Sequence, residues 1–199
     1  MSNADDKRKG VSRRELLTFW RKPLEELARP KPPPTESMAP QPASRPAPLR
    51  PPGMLQELLL VHSCIRCGKC VDVCPARAIH PLGPEWGAAQ GTPFIDPRLQ
   101  PCVLCTGLQC THVCPSGALS PVYVNRDVTM GTAILDESRC VTFRGQACDA
   151  CEKACPVPGA IAIDEGGRPH VVDTLCVGCG LCEHVCPTEP SSIHIVPRD

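Results

Sequence analysis

Aromatic side chains are scarce in this chain: Phe, Trp and Tyr together make up 3% of its 199 residues. Rings bury more area per residue than any other side chain, so their scarcity argues against a conventional large core for the one or two domains this length allows. Trp86, Phe94 and Tyr123 are expected as packing residues. Long apolar runs are missing as well. No segment approaches the ~20 apolar residues of a membrane span, which excludes a direct one. Net charge is also absent, because 21 Lys and Arg balance 21 Asp and Glu. The balance hides two unlike parts. Residues 1–53 carry eleven basic against six acidic side chains, and residues 54–199 carry ten against fifteen. An acidic C-terminal part argues against nucleic acid as its partner and suits docking to a basic patch on another protein.

What the chain does have is sixteen cysteines, in four groups of four. The first is Cys64, Cys67, Cys70 and Cys74; the second is Cys102, Cys105, Cys110 and Cys114. The third is Cys140, Cys148, Cys151 and Cys155, and the fourth is Cys176, Cys179, Cys182 and Cys186. Gaps of two, two and three residues, then Cys-Pro, are the ligand spacing of a [4Fe–4S] cluster. Three thiolates on a tight loop hold one cluster, while the fourth cysteine, expected to start the next helix, serves another. The second group widens the middle gap and the third widens the first gap, but each group ends in Cys-Pro at Pro75, Pro115, Pro156 or Pro187. A disulfide framework does not explain the regular groups, and zinc knuckles do not need the third Cys or the terminal Cys-Pro. Gly68, Gly178 and Gly180 are expected where backbone passes close to a cluster. With all sixteen cysteines used as ligands, stability comes in large part from metal ligation.

The spacers predict short strands. Residues 160–172 read as a hairpin around Gly166-Gly167, Val122–Val124 as a partner for Ala133–Leu135, and Ile193–Val196 as a closing strand. Ile79, Leu119, Ile161 and Ile193 are the expected apolar wall. The fold class is α+β: tandem or nested bacterial-ferredoxin-like folds around four [4Fe–4S] clusters, behind a disordered N-terminal tail. Residues 1–29 form a basic segment in which Ser12 and Glu15 suit a capping box for a short amphipathic helix, a docking element over residues 12–28. Residues 30–53 read as an extended linker, with ten prolines in positions 30–52. Residues 54–199 are the four-cluster domain, led by a helix around Leu55–Val61 that covers the first cluster. Ser12-Arg13-Arg14 has the twin arginine of an export signal without its apolar half. The expected location is therefore cytoplasmic, with export through that segment or together with a partner as the alternative.

The four groups must pair, and sequential pairing (first with second, third with fourth) and nested pairing (first with fourth, second with third) are both sterically open. Joining like spacings favours nesting. From about Leu49 the chain resembles the MauM/NapG-type ferredoxin proteins of methylamine and periplasmic nitrate reductase systems. The match is carried by Leu49-Arg50-Pro51-Pro52-Gly53, Cys64-Ile65-Arg66-Cys67, Gly91-Thr92-Pro93-Phe94, Pro101-Cys102-Val103-Leu104-Cys105, Pro115-Ser116-Gly117-Ala118-Leu119 and the wide gap from Cys140 to Cys148. That family is similar to the four-cluster subunits of molybdenum oxidoreductases, and the resemblance implies nested sets. These are Cys64, Cys67, Cys70 and Cys186; Cys176, Cys179, Cys182 and Cys74; Cys102, Cys105, Cys110 and Cys155; and Cys140, Cys148, Cys151 and Cys114. The function expected is single-electron transfer, not catalysis, between a donor (a quinol-oxidising membrane subunit or a reductase) and an acceptor of the molybdoenzyme type. A small stand-alone iron–sulfur reductase and a cluster storage or scaffold protein are the alternatives. His62, His112 and His184 lie near cysteines as proton donors for the former, though they read more readily as surface residues.

Overall fold

Cysteine loops leave room only for short regular elements, and the computed structural model, which describes residues 46–198, shows this throughout. A lead-in helix, α1 (Glu57–Ser63), precedes the first group as expected. Each group then carries a helix of about one turn: α2 (Lys69–Asp72), α3 (Gln109–His112), α4 (Ala150–Ala154) and α5 (Leu181–His184). The third cysteine of each group, Cys70, Cys110, Cys151 or Cys182, lies inside its helix. The fourth lies just past the helix end, which corrects the expectation that it would start a helix. Its proline cannot continue the helix and turns the chain towards the next strand or turn.

Among the described residues, six strands form three antiparallel pairs. Strands β1 (Ile79–Pro81) and β2 (Pro93–Ile95) form a hairpin after the first group. Strands β4 (Ile161–Ile163) and β5 (Pro169–Val171) form the expected one after the third. Strand β3 (Gly131–Leu135) pairs with the C-terminal β6 (Ile193–Pro197), with Ala133 opposite Ile195. Val122–Val124 is therefore not the partner of residues 133–135. The N–H of Val122 is held by the Thr111 hydroxyl at 3.1 Å, and Tyr123 turns outward. The register of β3 with β6 buries Ala133 and Ile193, a better use of this strand than a loop could offer.

The same plan appears twice. In each half a hairpin follows the first cysteine group, the two group helices pack together (α2 on α3, α4 on α5), and chain from before the first group pairs with chain from after the second. In the second half that closing pair is β3–β6; in the first it has shrunk to a bridge between Met54 and Leu119. Two ferredoxin-like α+β modules thus stand in tandem. They share a core of Ile79, Ile95, Leu104, Leu108, Val128, Met130, Val177 and Cys179. Across the junction Cys102 N–H donates to the Cys179 carbonyl at 3.0 Å, and within the second module Met130 N–H donates to that of Val177 at 3.1 Å. Ile79, Leu119, Ile161 and Ile193 are all buried, as the apolar wall requires.

The folded unit begins earlier than the expected boundary at Met54. Residues 46–53 are the described part of the expected linker, and Leu49 to Pro52 are buried. Ile95 N–H donates to the Leu49 carbonyl at 2.8 Å, and Arg50, 1% exposed, reaches Thr92 Oγ1 at 3.0 Å and the Pro93 carbonyl at 2.7 Å. Its Nε bonds Glu57 at 2.8 Å, and its terminal nitrogen meets the same carboxylate. Composition suggested an open chain here, but a guanidinium with a full set of acceptors can be buried. The expected docking segment, residues 12–28, and linker residues 30–45 lie outside the described residues.

Candidate metal centres

Each cysteine loop must curl its backbone around a common space, and the φ angles show how. Two residues after the first cysteine of a group, the chain turns left-handed: Arg66 at φ 56°, Leu104 at φ 47° and Gly178 at φ 73°. Arg66 offsets the strain by donating to the carbonyls of Cys64, Ala88 and Gln90 at 2.8–3.1 Å, and Leu104 by its burial. At Gly178 glycine answers a close backbone approach, because an added Cβ would stand 2.3 Å from Gly131 N. The crowding comes from the opposite chain at the start of β3, a reason the sequence did not reveal.

The thiols gather in sets that follow the chain order. A cavity of about 250 Å³ is lined by Cys64, Cys67 and Cys70 together with Cys114. A second is lined by Cys102, Cys105 and Cys110 together with Cys74. A third is lined by Cys176, Cys179 and Cys182 together with Cys155. Cys140 and Cys148 lie close enough to Cys151 to raise its thiol, and Cys151 and Cys186 are both among the residues packed against the core of Ala133, Ile161, Cys182 and Ile193. Cys74 and Cys114 therefore cross between the first and second groups, and Cys155 crosses from the third to the fourth. The thiols thus lie otherwise than in the expected nested sets: Cys114, not Cys186, lies beside Cys64, Cys74 lies beside Cys102 rather than Cys176, and Cys155 lies beside Cys176 rather than Cys102. The reason is physical. Packing α2 on α3 carries Cys74 and Cys114 across one module, and packing α4 on α5 does the same for Cys155 and Cys186. Similar spacings do not bring distant groups together.

The donor sets fit an iron–sulfur cluster. A single tetrahedral ion needs its sulfurs about 2.3 Å from one point. Among the described residues no three His, Cys, Asp or Glu side chains converge in that way. The thiols stand around spaces instead, with apolar walls. Burial, followed by their neighbours' charges, pushes Cys110 up to about 12. Burial pushes Cys102 up to about 12 and Cys70 and Cys179 to about 11. Cys151 rises to about 11 for the same first reason, and Cys182 rises further. Several thiolates packed together in a dry space need a cationic centre among them, which iron supplies.

Two sulfurs behave differently. Burial raises Cys186 too, but hydroxyls of Ser192, Thr188 and Ser191 outweigh it and hold the thiol at about 6. Cys114 is likewise lowered against its burial, by the Leu119 N–H and by Ser116. Elsewhere Ala78 N–H donates to Cys74 Sγ at 3.3 Å and Ala133 N–H to Cys176 Sγ at 3.4 Å. Sequence reasoning did not single out these hydroxyls, although Cys114-Pro-Ser116, Cys140-Val-Thr142 and Cys186-Pro-Thr188 all place one two residues after a cysteine.

His62, His112 and His184 are exposed, and the rings of His112 and His184 stand 3.2 Å and 3.1 Å from the backbone carbonyls of Val122 and Arg98. Tyr123, expected to pack, is 81% exposed with its ring edge against His112, whereas Trp86 and Phe94 are half-buried.

Comparison with known proteins agrees with this architecture. The family model described as a 4Fe-4S dicluster domain matches residues 63–118, 101–158 and 146–189. The first match takes in the first and second groups, the second match the second and third, and the last match Cys148, Cys151 and Cys155 with the fourth group. The chain is 39% identical to the methylamine utilization ferredoxin-type protein MauM of Methylobacillus flagellatus, over 78% of this chain and 73% of that protein. It is 37% identical to the MauM of Paracoccus denitrificans, over 76% and 72% of the two chains. It is also 37% identical to the ferredoxin-type protein NapG of Escherichia coli, over 75% and 70%.

Proposed function

The chain belongs to the MauM/NapG family of ferredoxin-type proteins, an iron–sulfur electron-transfer family, and from that premise we propose that it holds four [4Fe–4S] clusters and relays single electrons between two redox proteins. The clusters supply one-electron oxidation and reduction; the chain holds them, spaces them and keeps water away. All sixteen cysteines serve as ligands, in the sets Cys64, Cys67, Cys70, Cys114; Cys74, Cys102, Cys105, Cys110; Cys155, Cys176, Cys179, Cys182; and Cys140, Cys148, Cys151, Cys186.

One observation carries the relay: the sets form a row. Cys74 and Cys114 join the first two through α2 and α3, the Cys102–Cys179 contact joins the second to the third across the modules, and α4 and α5 join the third to the last. A storage protein has no need of such a row, nor does a reductase with its own substrate site.

The first set lies at one end of the row. Its Cys67 is exposed, in a stretch where Leu58, Leu59 and Ile65 are exposed too. The partners are a quinol-oxidising membrane subunit or a reductase as donor and an oxidoreductase of the molybdoenzyme type as acceptor. No helix among the described residues is long and apolar enough to cross a membrane. A cytoplasmic location belongs to the same proposal, with export through Ser12-Arg13-Arg14 as the alternative that fractionation of the host decides.

The test is anaerobic purification of the full chain from its host, with iron and sulfide analysis and identification of what accompanies it. Sixteen iron atoms per chain and a co-purifying redox protein are expected. Two clusters' worth of iron, or turnover of a small substrate by the isolated chain, would overturn the reading.

A further inference from the structure

The four sets differ in how many hydroxyls reach their sulfurs. Thr188 Oγ1 and Ser192 Oγ each lie 3.2 Å from Cys186 Sγ. Thr188 Oγ1 accepts the Ser192 N–H at 2.7 Å, which leaves its own proton to donate to the sulfur. On the same set, Thr142 Oγ1 lies 3.2 Å from Cys140 Sγ. Ser192 is 2% exposed and Thr142 8%, so water does not compete for these bonds.

The other sets are poorer in hydroxyls, although backbone N–H groups also reach Cys70, Cys102 and Cys179. Cys114 has the Ser116 hydroxyl at 3.6 Å and the Leu119 N–H at 3.5 Å. Cys74 has the Ala78 N–H, and Cys176 the Ala133 N–H. At Cys155 the thiol itself donates to the Val157 carbonyl, a bond that a metal-bound thiolate cannot make. The position two residues after each fourth cysteine tells the same story: Ala76, Ser116, Val157 and Thr188.

Donors to a ligand sulfur stabilise the more negative, reduced state and raise the reduction potential. We infer that Thr188, Ser192 and Thr142 make the cluster of Cys140, Cys148, Cys151 and Cys186 the highest in potential of the four. The first electron taken up by the protein therefore rests at the end of the row opposite Cys67. The inference rests on the proposed ligand sets. It names Thr188, Ser192 and Thr142 as positioning residues that set where the electron sits.

The experiment is an EPR-monitored redox titration of the full-length holoprotein, with iron and sulfide counted in every sample. The variants are Thr188→Val, Ser192→Ala and Thr142→Val, with Thr188→Ser as the conservative rescue and Ser116→Ala as the control on another set. Thr188→Val with Ser192→Ala should lower the highest-potential step by at least a tenfold change in its reduction equilibrium, about 59 mV for one electron. The three lower steps should stay in place, Thr188→Ser should restore the highest, and Ser116→Ala should leave it unmoved. Four clusters with an unmoved highest step, or movement of a lower step instead, would overturn the tuning and leave the ligand sets standing. A wild-type chain that holds fewer than four clusters would overturn the ligand sets, and the tuning with them.

Discussion

Arg50 and Glu57 show how much one buried charge decides. The Arg50 side chain is 1% exposed, whereas that of Glu57 is 41% exposed. Removing either partner breaks the pair, but the consequences are unequal. Arg50→Ala leaves a carboxylate that water can reach, together with the lost contacts to Thr92 and Pro93, and should cost about 2 kcal/mol. Glu57→Ala leaves a guanidinium buried without its counter-charge and should cost more, about 3 kcal/mol. Denaturant midpoints of the two variants should fall in that order; the reverse order would mean that packing by the Arg50 stem dominates. The cysteines carry a second prediction at this scale. A thiol must lose its proton to bind iron, so protons compete hardest for the ligand whose free pKa is highest. Cys102 and Cys110, pushed up to about 12, lose this competition at a higher pH than Cys186, held at about 6. In the set of Cys186, however, Cys151 stands at about 11, so as pH falls that set should release its cluster after the set of Cys155, Cys176, Cys179 and Cys182, where burial pushes Cys182 higher still. Brief acid exposure, then thiol labelling at neutral pH and peptide mapping, reads the order.

At the scale of elements, the crossing of the fourth cysteines makes a sharp test. Cys114→Ala should remove the cluster held by Cys64, Cys67 and Cys70 and spare the one held by Cys140, Cys148 and Cys151. Iron content should fall by about a quarter, and Cys67 should become the most readily labelled ligand. Loss at Cys148 instead would restore the nested arrangement. The sixteen cysteines, the α1 lead-in, the β4–β5 hairpin and the closing strand β6 were legible in the sequence, because each is a local pattern of spacing or alternation. The partner of β3 was not. Ala133-Ile134-Leu135 looks the same whether it pairs with residues 122–124 or with 193–197, and only the burial of Ala133 and Ile193 separates the two. The grouping was not legible for the same reason. Which helix packs on which is a long-range fact, and the likeness of the first and fourth spacings carried no information about it. The β1–β2 hairpin was missed because eleven residues, 82–92, which include a 3-10 segment, Pro84–Ala89, separate its strands.

For the whole molecule, the point at which the folded unit begins has consequences that the proline count concealed. The Leu49 carbonyl caps β2 through Ile95, Arg50 ties this segment to both Glu57 and Pro93, and Pro51 and Pro52 are buried. An added Cβ at Gly53 would lie 2.1 Å from the Ser120 carbonyl, so even the turn that leaves this segment is fitted to the first module. Helix α1 covers the first thiol set through Leu60, which packs with Ala118, Leu119, Cys64, Cys70 and Cys114. Residues 49–53 in turn hold α1 in place through Glu57. A chain cut at Pro46 should therefore keep all four clusters and the thermal stability of the full chain. A chain cut at Met54 keeps every cysteine but loses the Arg50 anchor, and Glu57 is left without its partner. It should lose the first cluster preferentially, and its cluster absorbance should bleach faster in air. Iron content and the bleaching rate of the two truncated chains, compared with the full chain, check this. Equal stability of all three would mean that the anchor only tethers the segment before it. Preferential loss at Cys64, Cys67, Cys70 and Cys114 would show that the chain entering the first module is also the cover over the exposed end of the row.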